Sequence, residues 1–145
     1  MNAPSQLVDL PIWRGHAEVS HLHAGRTNQN FLIRDLDRRY FGRVGNDVPE
    51  HGISRSAERR CQALAAEAGI APRIVFAEDG LLVIEYVDGA TLDIAAGCAQ
   101  ATMAAIAATV RRLHALPAPE RVPAFCPVAA CYRSSTKRCG RRAAR

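Results

Sequence analysis

Ile74-Val75-Phe76-Ala77-Glu78-Asp79-Gly80-Leu81-Leu82-Val83-Ile84-Glu85-Tyr86-Val87 is the stretch that decides the fold of this chain. Two apolar runs, Ile74–Ala77 and Leu81–Val87, flank Glu78-Asp79-Gly80. An Asp-Gly step supplies the left-handed backbone a tight connection needs, so the stretch is expected to fold as a β-hairpin. The segment just upstream has a different period. Ala57, Cys61, Leu64, Ala65 and Ala68 recur at helical spacing and give one apolar face to a helix of about Arg55 to Ala68. Ser54 is its N-cap, Gly69 its stop, and Pro72 shows that the chain has left the helix. Glu58 lies three residues before Cys61 and seven before Ala65, so it borders the apolar face and is expected to point toward the sheet.

Working outward, Phe31-Leu32-Ile33 forms a short apolar run, Asp35–Arg39 a polar turn, and Arg39–Val44 a returning strand, which makes a second hairpin. His16 to Ala24 reads as a further strand, although Val19 and Leu22 do not share a face. On the other side, Thr102 to Leu116 is an amphipathic helix striped by Met103, Ile106, Ala107, Val110 and Leu113 and ended by Pro117. Such a stripe is a packing surface rather than a cofactor site. From Pro117 onward there is no periodicity, and disorder is expected.

A chain of 145 residues, 48% apolar and 23% charged, has the length and composition of one globular domain. No apolar run reaches the roughly 20 residues that span a bilayer, and Met1–Pro11 lacks the basic-then-apolar order of a secretory signal. The expectation is a cytoplasmic chain that does not enter a membrane. The net charge of +5 resides in the tail: residues 126–145 hold six basic and no acidic residues, leaving 13 basic against 14 acidic elsewhere. A tail of this kind attracts polyanions without sequence preference, so nucleic acid is expected only as a non-specific partner of the tail. The cysteines Cys61, Cys98, Cys126, Cys131 and Cys139 match no metal module in their spacing and read as reduced thiols.

In chain order there is a Gly-rich turn between two strands, a strand with an inward cation, a helix with an inward carboxylate, and a hairpin ending in an exposed strand. The residues are Gly25-Arg26-Thr27-Asn28-Gln29-Asn30-Phe31, Tyr40-Phe41-Gly42-Arg43-Val44-Gly45, Arg55 with Glu58, Gly69-Ile70-Ala71-Pro72, and Leu82-Val83-Ile84-Glu85-Tyr86-Val87-Asp88-Gly89. From about Ala17 to Leu116 the chain resembles the choline/ethanolamine kinase and aminoglycoside phosphotransferase superfamily. Its Gly-x-Thr-Asn-x-x-Phe turn leans toward the choline-kinase branch.

The resemblance implies an α+β fold: a protein-kinase-like small lobe with an antiparallel sheet of about five strands and one packed helix, then a linker helix and a disordered basic tail. The expected boundaries are an extension over residues 1–15, the lobe over 16–93, the linker helix over 94–117 and the tail over 118–145. The implied cofactor is ATP, weakly held. Gly25, Thr27 and Asn28 would lie over its phosphates, and Arg43 would grip the α- and β-phosphates. Glu58 would hold Arg43 in place. Ile84 would line the back of the adenine pocket, with the Glu85 carbonyl and Val87 N–H reading the adenine edge. Each has a plainer reading on the residues alone: a hairpin turn, a surface arginine, a solvated glutamate, an edge strand.

Two departures stand out. Gly42 occupies a position where a larger aliphatic residue is expected, which would weaken the strand and one wall of the pocket. Beyond Leu116 there is no Asp and no Asn, whereas such enzymes use an aspartate base, a following Asn and an Asp that holds Mg²⁺. No catalytic residue and no metal ligand is therefore assigned. The chain reads as a truncated phosphotransferase, inactive as given, whose small-molecule acceptor would bind a second lobe. Two alternatives stay open: a non-catalytic nucleotide-binding module, and an interaction protein whose basic tail binds nucleic acid. The Cys-, Ser- and Arg-rich stretch from Ala129 to Arg145 reads either as a genuine basic tail or as the product of a shifted reading frame.

Overall fold

In a computed structural model, which describes residues 4–23 and 28–118, the chain runs α1 (Ser5–Val8), β1 (Glu18–Leu22), β2 (Gln29–Asp35), β3 (Arg38–Val44), a 3-10 turn (Pro49–His51), α2 (Arg55–Glu67), β4 (Ile74–Glu78), β5 (Leu81–Glu85), α3 (Ile94–Cys98) and α4 (Gln100–His114). The strands form one sheet in the order β1-β2-β3-β5-β4, antiparallel throughout. Both expected hairpins are present. Gly80, at φ 78, turns β4 into β5, and Leu36, at φ 55, turns β2 into β3. Because β5 separates β3 from β4, the connection between those two must cross the sheet, and α2 makes that crossing.

Strand alternation gives the sheet two unlike faces. One carries Val19, Phe31, Ile33, Tyr40, Val44, Phe76, Leu81 and Val83, all within or against the core cluster. The other carries Leu32, Phe41, Arg43, Leu82 and Ile84, as the pairings Leu32–Phe41, Phe41–Ile84 and Arg43–Leu82 require. Val19 and Leu22 fall on opposite faces of β1: Val19 pairs with Ile33 and Leu22 with Asn30.

The core face is roofed by the N-terminal segment, whose short helix is too brief to register as a periodic pattern. Leu7 is 0% exposed, Leu10 is buried, and Ile12 and Trp13 pack beside them. The Trp13 Nε1–H donates to the Leu7 carbonyl at 2.7 Å. Asp35, only 2% exposed, accepts the backbone N–H groups of Arg14 and Gly15, each at 2.8 Å, and so fastens the roof to the end of β2. Replacing Asp35 with Ala leaves two donors short of a partner, and a loss of about 1–3 kcal/mol is expected. Chemical denaturation of the two proteins side by side measures it, and unchanged stability would contradict the role.

Two sequence expectations are corrected here. Gly42 faces the core, not the Arg43 side, so it forms no wall of a pocket beside Arg43. A Cβ on Gly42 would stand 2.7 Å from Ile33 Cδ1 and 3.2 Å from Leu7 Cδ2. The missing side chain is the space that Leu7 fills. On α2, Ala57 and Ala65 are buried but Cys61 is exposed, so the packed face is narrower than its spacing suggests.

The ends of α2 follow the expected chemistry. Ser54 Oγ accepts from the Ala57 N–H at its start, and Gly69, at φ 66, turns the chain away at its end. β5 stops at Glu85, two residues short of its expected end. The linker is two helices: α3, capped by the Asp93 carboxylate on the Ala96 N–H at 2.7 Å, and α4 after a break at Ala99. Met103, Ile106, Val110 and Leu113 are all exposed on α4, and Arg112 Nη2 donates to the Ala68 carbonyl at 2.8 Å. No helix among the described residues is long and apolar enough to cross a membrane.

Candidate functional site

Arg43 projects from the middle of the sheet on the face opposite the core, and the crossing of α2 brings Glu58 directly to it. Arg43 Nη1 and Glu58 Oε1 are 2.8 Å apart, with the arginine side chain 20% exposed. The sequence placed these two side chains together, and the structure does so. Burial pulls the Arg43 guanidinium below its ordinary value; Glu58 opposes this and Arg55 adds to it. An arginine keeps its charge under such a shift, so the site retains a fixed cation.

The second oxygen of Glu58 is also occupied. Arg55 Nη1 lies 2.9 Å from Glu58 Oε2, one helical turn earlier on α2. Arg55 Nε donates to the Asn46 carbonyl at 3.0 Å, and its backbone N–H to Asp47 Oδ1 at 2.7 Å. Its Nη2 donates to Asn28 Oδ1, so Asn28 joins the same network. Two arginines thus share the Glu58 carboxylate. An open cleft adjoins it, lined in part by Arg43, Arg55, Glu58, Arg59, Glu78 and Leu82. Gly25 and Thr27 lie outside the described residues.

The expected adenine-reading residues lie further along the same sheet. Ile84 stands opposite Phe41 on the Arg43 face, which gives that face an apolar patch beside its cation. Glu85 donates its N–H to the Arg73 carbonyl at 3.0 Å, while its carboxylate pairs with Arg73 Nη2 at 2.6 Å. Arg73 holds that carboxyl below the usual range. The Tyr86 N–H reaches the Arg39 carbonyl at 3.2 Å, and Val87 leaves the sheet, 65% exposed. Arg39 braces this exit. Its Nη2 contacts both Asp88 carboxylate oxygens at 2.6 Å, and its guanidinium lies 5.0 Å from the Tyr86 ring centre.

The structure therefore gathers Asn28, Arg43 and Glu58 into one hydrogen-bonded cluster. Ile84 shares its face, and Glu85 and Val87 lie at the strand exit. Sequence reading had assigned no role to Arg39, Arg55 or Arg73. Only Arg55 carried a signal, its position three residues before Glu58 in the first turn of the helix. Among the described residues, no three His, Cys, Asp or Glu side chains gather as a metal site.

A search of curated proteins finds no match to this chain. Among solved structures it is similar to an ethanolamine kinase from Plasmodium vivax, with a TM-score of 0.61 and 20% identity over 73% of this chain and 28% of that one. It is also similar to a choline kinase from Cryptosporidium parvum Iowa II, with a TM-score of 0.42 and 22% identity over 61% of this chain and 25% of that one. The first likeness supports the fold, that of a kinase-like small lobe, and the chain spans little more than a quarter of that kinase's length. The phosphotransferase enzyme family, APH, matches residues 18–138, past Leu116 and into the stretch whose composition changes at Ala129. With most of its length covered by that match, and with this fold, the chain belongs to the APH phosphotransferase enzyme family.

Proposed function

We propose that this chain is the nucleotide-binding part of an ATP-dependent kinase for the hydroxyl of a small amine or amino alcohol, and that these 145 residues alone hold ATP without transferring its phosphate. The observation that carries the reading is the Arg43–Glu58 pair at 2.8 Å, set on the sheet face that also presents Ile84. Phosphoryl transfer relies mainly on positioning and charge neutralisation. Arg43 offers a planar, permanently charged fork that matches phosphate oxygens two at a time. Glu58 keeps that fork aimed, and Asn28 lies within the same network. Ile84 and Phe41 offer an apolar surface to a base, whose edge would meet the backbone of Glu85 and Val87 as the chain leaves the sheet. These donors and surfaces fit a nucleoside triphosphate.

The metal is a different matter. No Asp follows Asp93 in the sequence, and no acidic cluster gathers among the described residues. These residues do not fit Mg²⁺, and no step through it is derived. Phosphoryl transfer of this kind uses an aspartate base and a metal-holding carboxylate, and the described residues gather no such acidic cluster.

Calorimetry of the purified chain with ATP is expected to show binding. The same protein, given ATP, Mg²⁺ and choline, ethanolamine or an aminoglycoside, is expected to release no ADP above background. Turnover that survives repurification would contradict the second half of the reading, and absence of nucleotide binding would contradict the first.

A further inference from the structure

We propose that Arg55 is a positioning residue that ties Asn28, just before β2, to the Arg43–Glu58 pair; the inference rests on the nucleotide-binding reading above. Each of the three guanidinium nitrogens of Arg55 is committed to a different segment. Nε donates to the Asn46 carbonyl in the loop after β3, Nη1 pairs with Glu58 on α2, and Nη2 donates to Asn28 just before β2. The side chain is only 12% exposed. Its own N–H, at the first residue of α2, is held by the Asp47 carboxylate.

Two consequences follow from that geometry. Glu58 is gripped on both oxygens, by Arg43 on one and Arg55 on the other. When an anionic ligand draws on the Arg43 guanidinium, Arg55 keeps the Glu58 carboxylate from following it, so the orienting partner stays in place. Asn28 immediately precedes β2, and Arg55 fixes it relative to α2. Arg55 thus organises the site through its contacts with Asn28, Asn46 and Glu58.

This role depends on shape as well as charge. A lysine at position 55 would keep the positive charge, but one ammonium on a flexible stem cannot replace a rigid fork spread over three segments. Charge alone predicts that Arg55→Lys binds nucleotide like the wild type, whereas positioning predicts that it binds almost as poorly as Arg55→Ala.

The test is titration of the full chain with a fluorescent ATP analogue, alongside circular dichroism and thermal melting to confirm folding. Arg55→Ala and Arg55→Lys are both expected to bind about tenfold more weakly. Asn28→Ala is expected to weaken binding too, and Arg55→Ala with Asn28→Ala to fall well short of the sum of the two losses, because they break one shared contact. If Arg55→Ala fails to fold, Arg55→Lys and the cycle of Arg55→Lys with Asn28→Ala decide the question. Wild-type affinity in Arg55→Lys, or fully additive losses, would overturn the inference while leaving the nucleotide site intact, provided Arg43→Ala still weakens binding. A wild-type chain that binds no nucleotide removes the reading and the inference together.

Discussion

Leu7→Ala is expected to destabilise the protein by about 2–5 kcal/mol, and Gly42→Val is expected to recover part of that loss when added to it. Leu7 is fully buried and sits over Gly42, with Leu7 Cδ2 3.2 Å and Ile33 Cδ1 2.7 Å from where a Cβ on Gly42 would stand. In the wild-type background, Gly42→Val forces both side chains aside and should itself cost about 1–3 kcal/mol. Once Leu7 is truncated the valine enters a cavity, and Ile33 has room to yield. The two substitutions should therefore cost less together than the sum of their separate effects. Against a typical total stability of about 5–15 kcal/mol, either change alone is large. Urea unfolding of the wild type, both single variants and the double variant measures the coupling. Strict additivity would show that Leu7 does not fill the space above Gly42.

The same pair shows where sequence reading stops. The Asp79-Gly80 turn and the Ser54-to-Gly69 helix were legible because each signal lies within a few residues of what it controls. Gly42 was not. On its own it reads as a weak spot in a strand, and its meaning depends on Leu7, 35 positions earlier and in another element. The roofing segment was missed for a related reason: Leu7 and Leu10 belong to a four-residue helix and the irregular chain after it, too short to display a period. Cys61 fitted the helical spacing of α2 yet is exposed, since spacing identifies a face without saying how far the sheet extends beneath it.

The site divides along similar lines. Glu58 could be aimed at Arg43 from helix geometry together with the family resemblance. The contacts of Arg55 with Asn28 and Asn46 join positions 27 and nine residues apart, and no local pattern announces them. No local pattern marks Arg39 or Arg73 either, and only folding sets them beside Asp88 and Glu85. Glu85 was expected to matter through its carbonyl. The structure shows in addition that its carboxylate is engaged by Arg73, at the point where the chain leaves the sheet.

Nucleotide affinity should run through Arg43. Its guanidinium is the cation brought to the open face of the sheet beside Phe41 and Ile84, and it is held there by a carboxylate 2.8 Å away. Removing it takes away a charged hydrogen-bonding partner, a change that typically costs about 1.5–3 kcal/mol, or roughly 10- to 150-fold in affinity. Glu58→Ala should weaken binding less, because it disturbs the aim of Arg43 and leaves the charge in place. Titration of ATP into the wild type, Arg43→Ala and Glu58→Ala, with folding verified for each, is the most direct measurement. Affinity falling in the order wild type, Glu58→Ala, Arg43→Ala supports a phosphate-gripping Arg43, whereas equal affinities for the wild type and Arg43→Ala would contradict it.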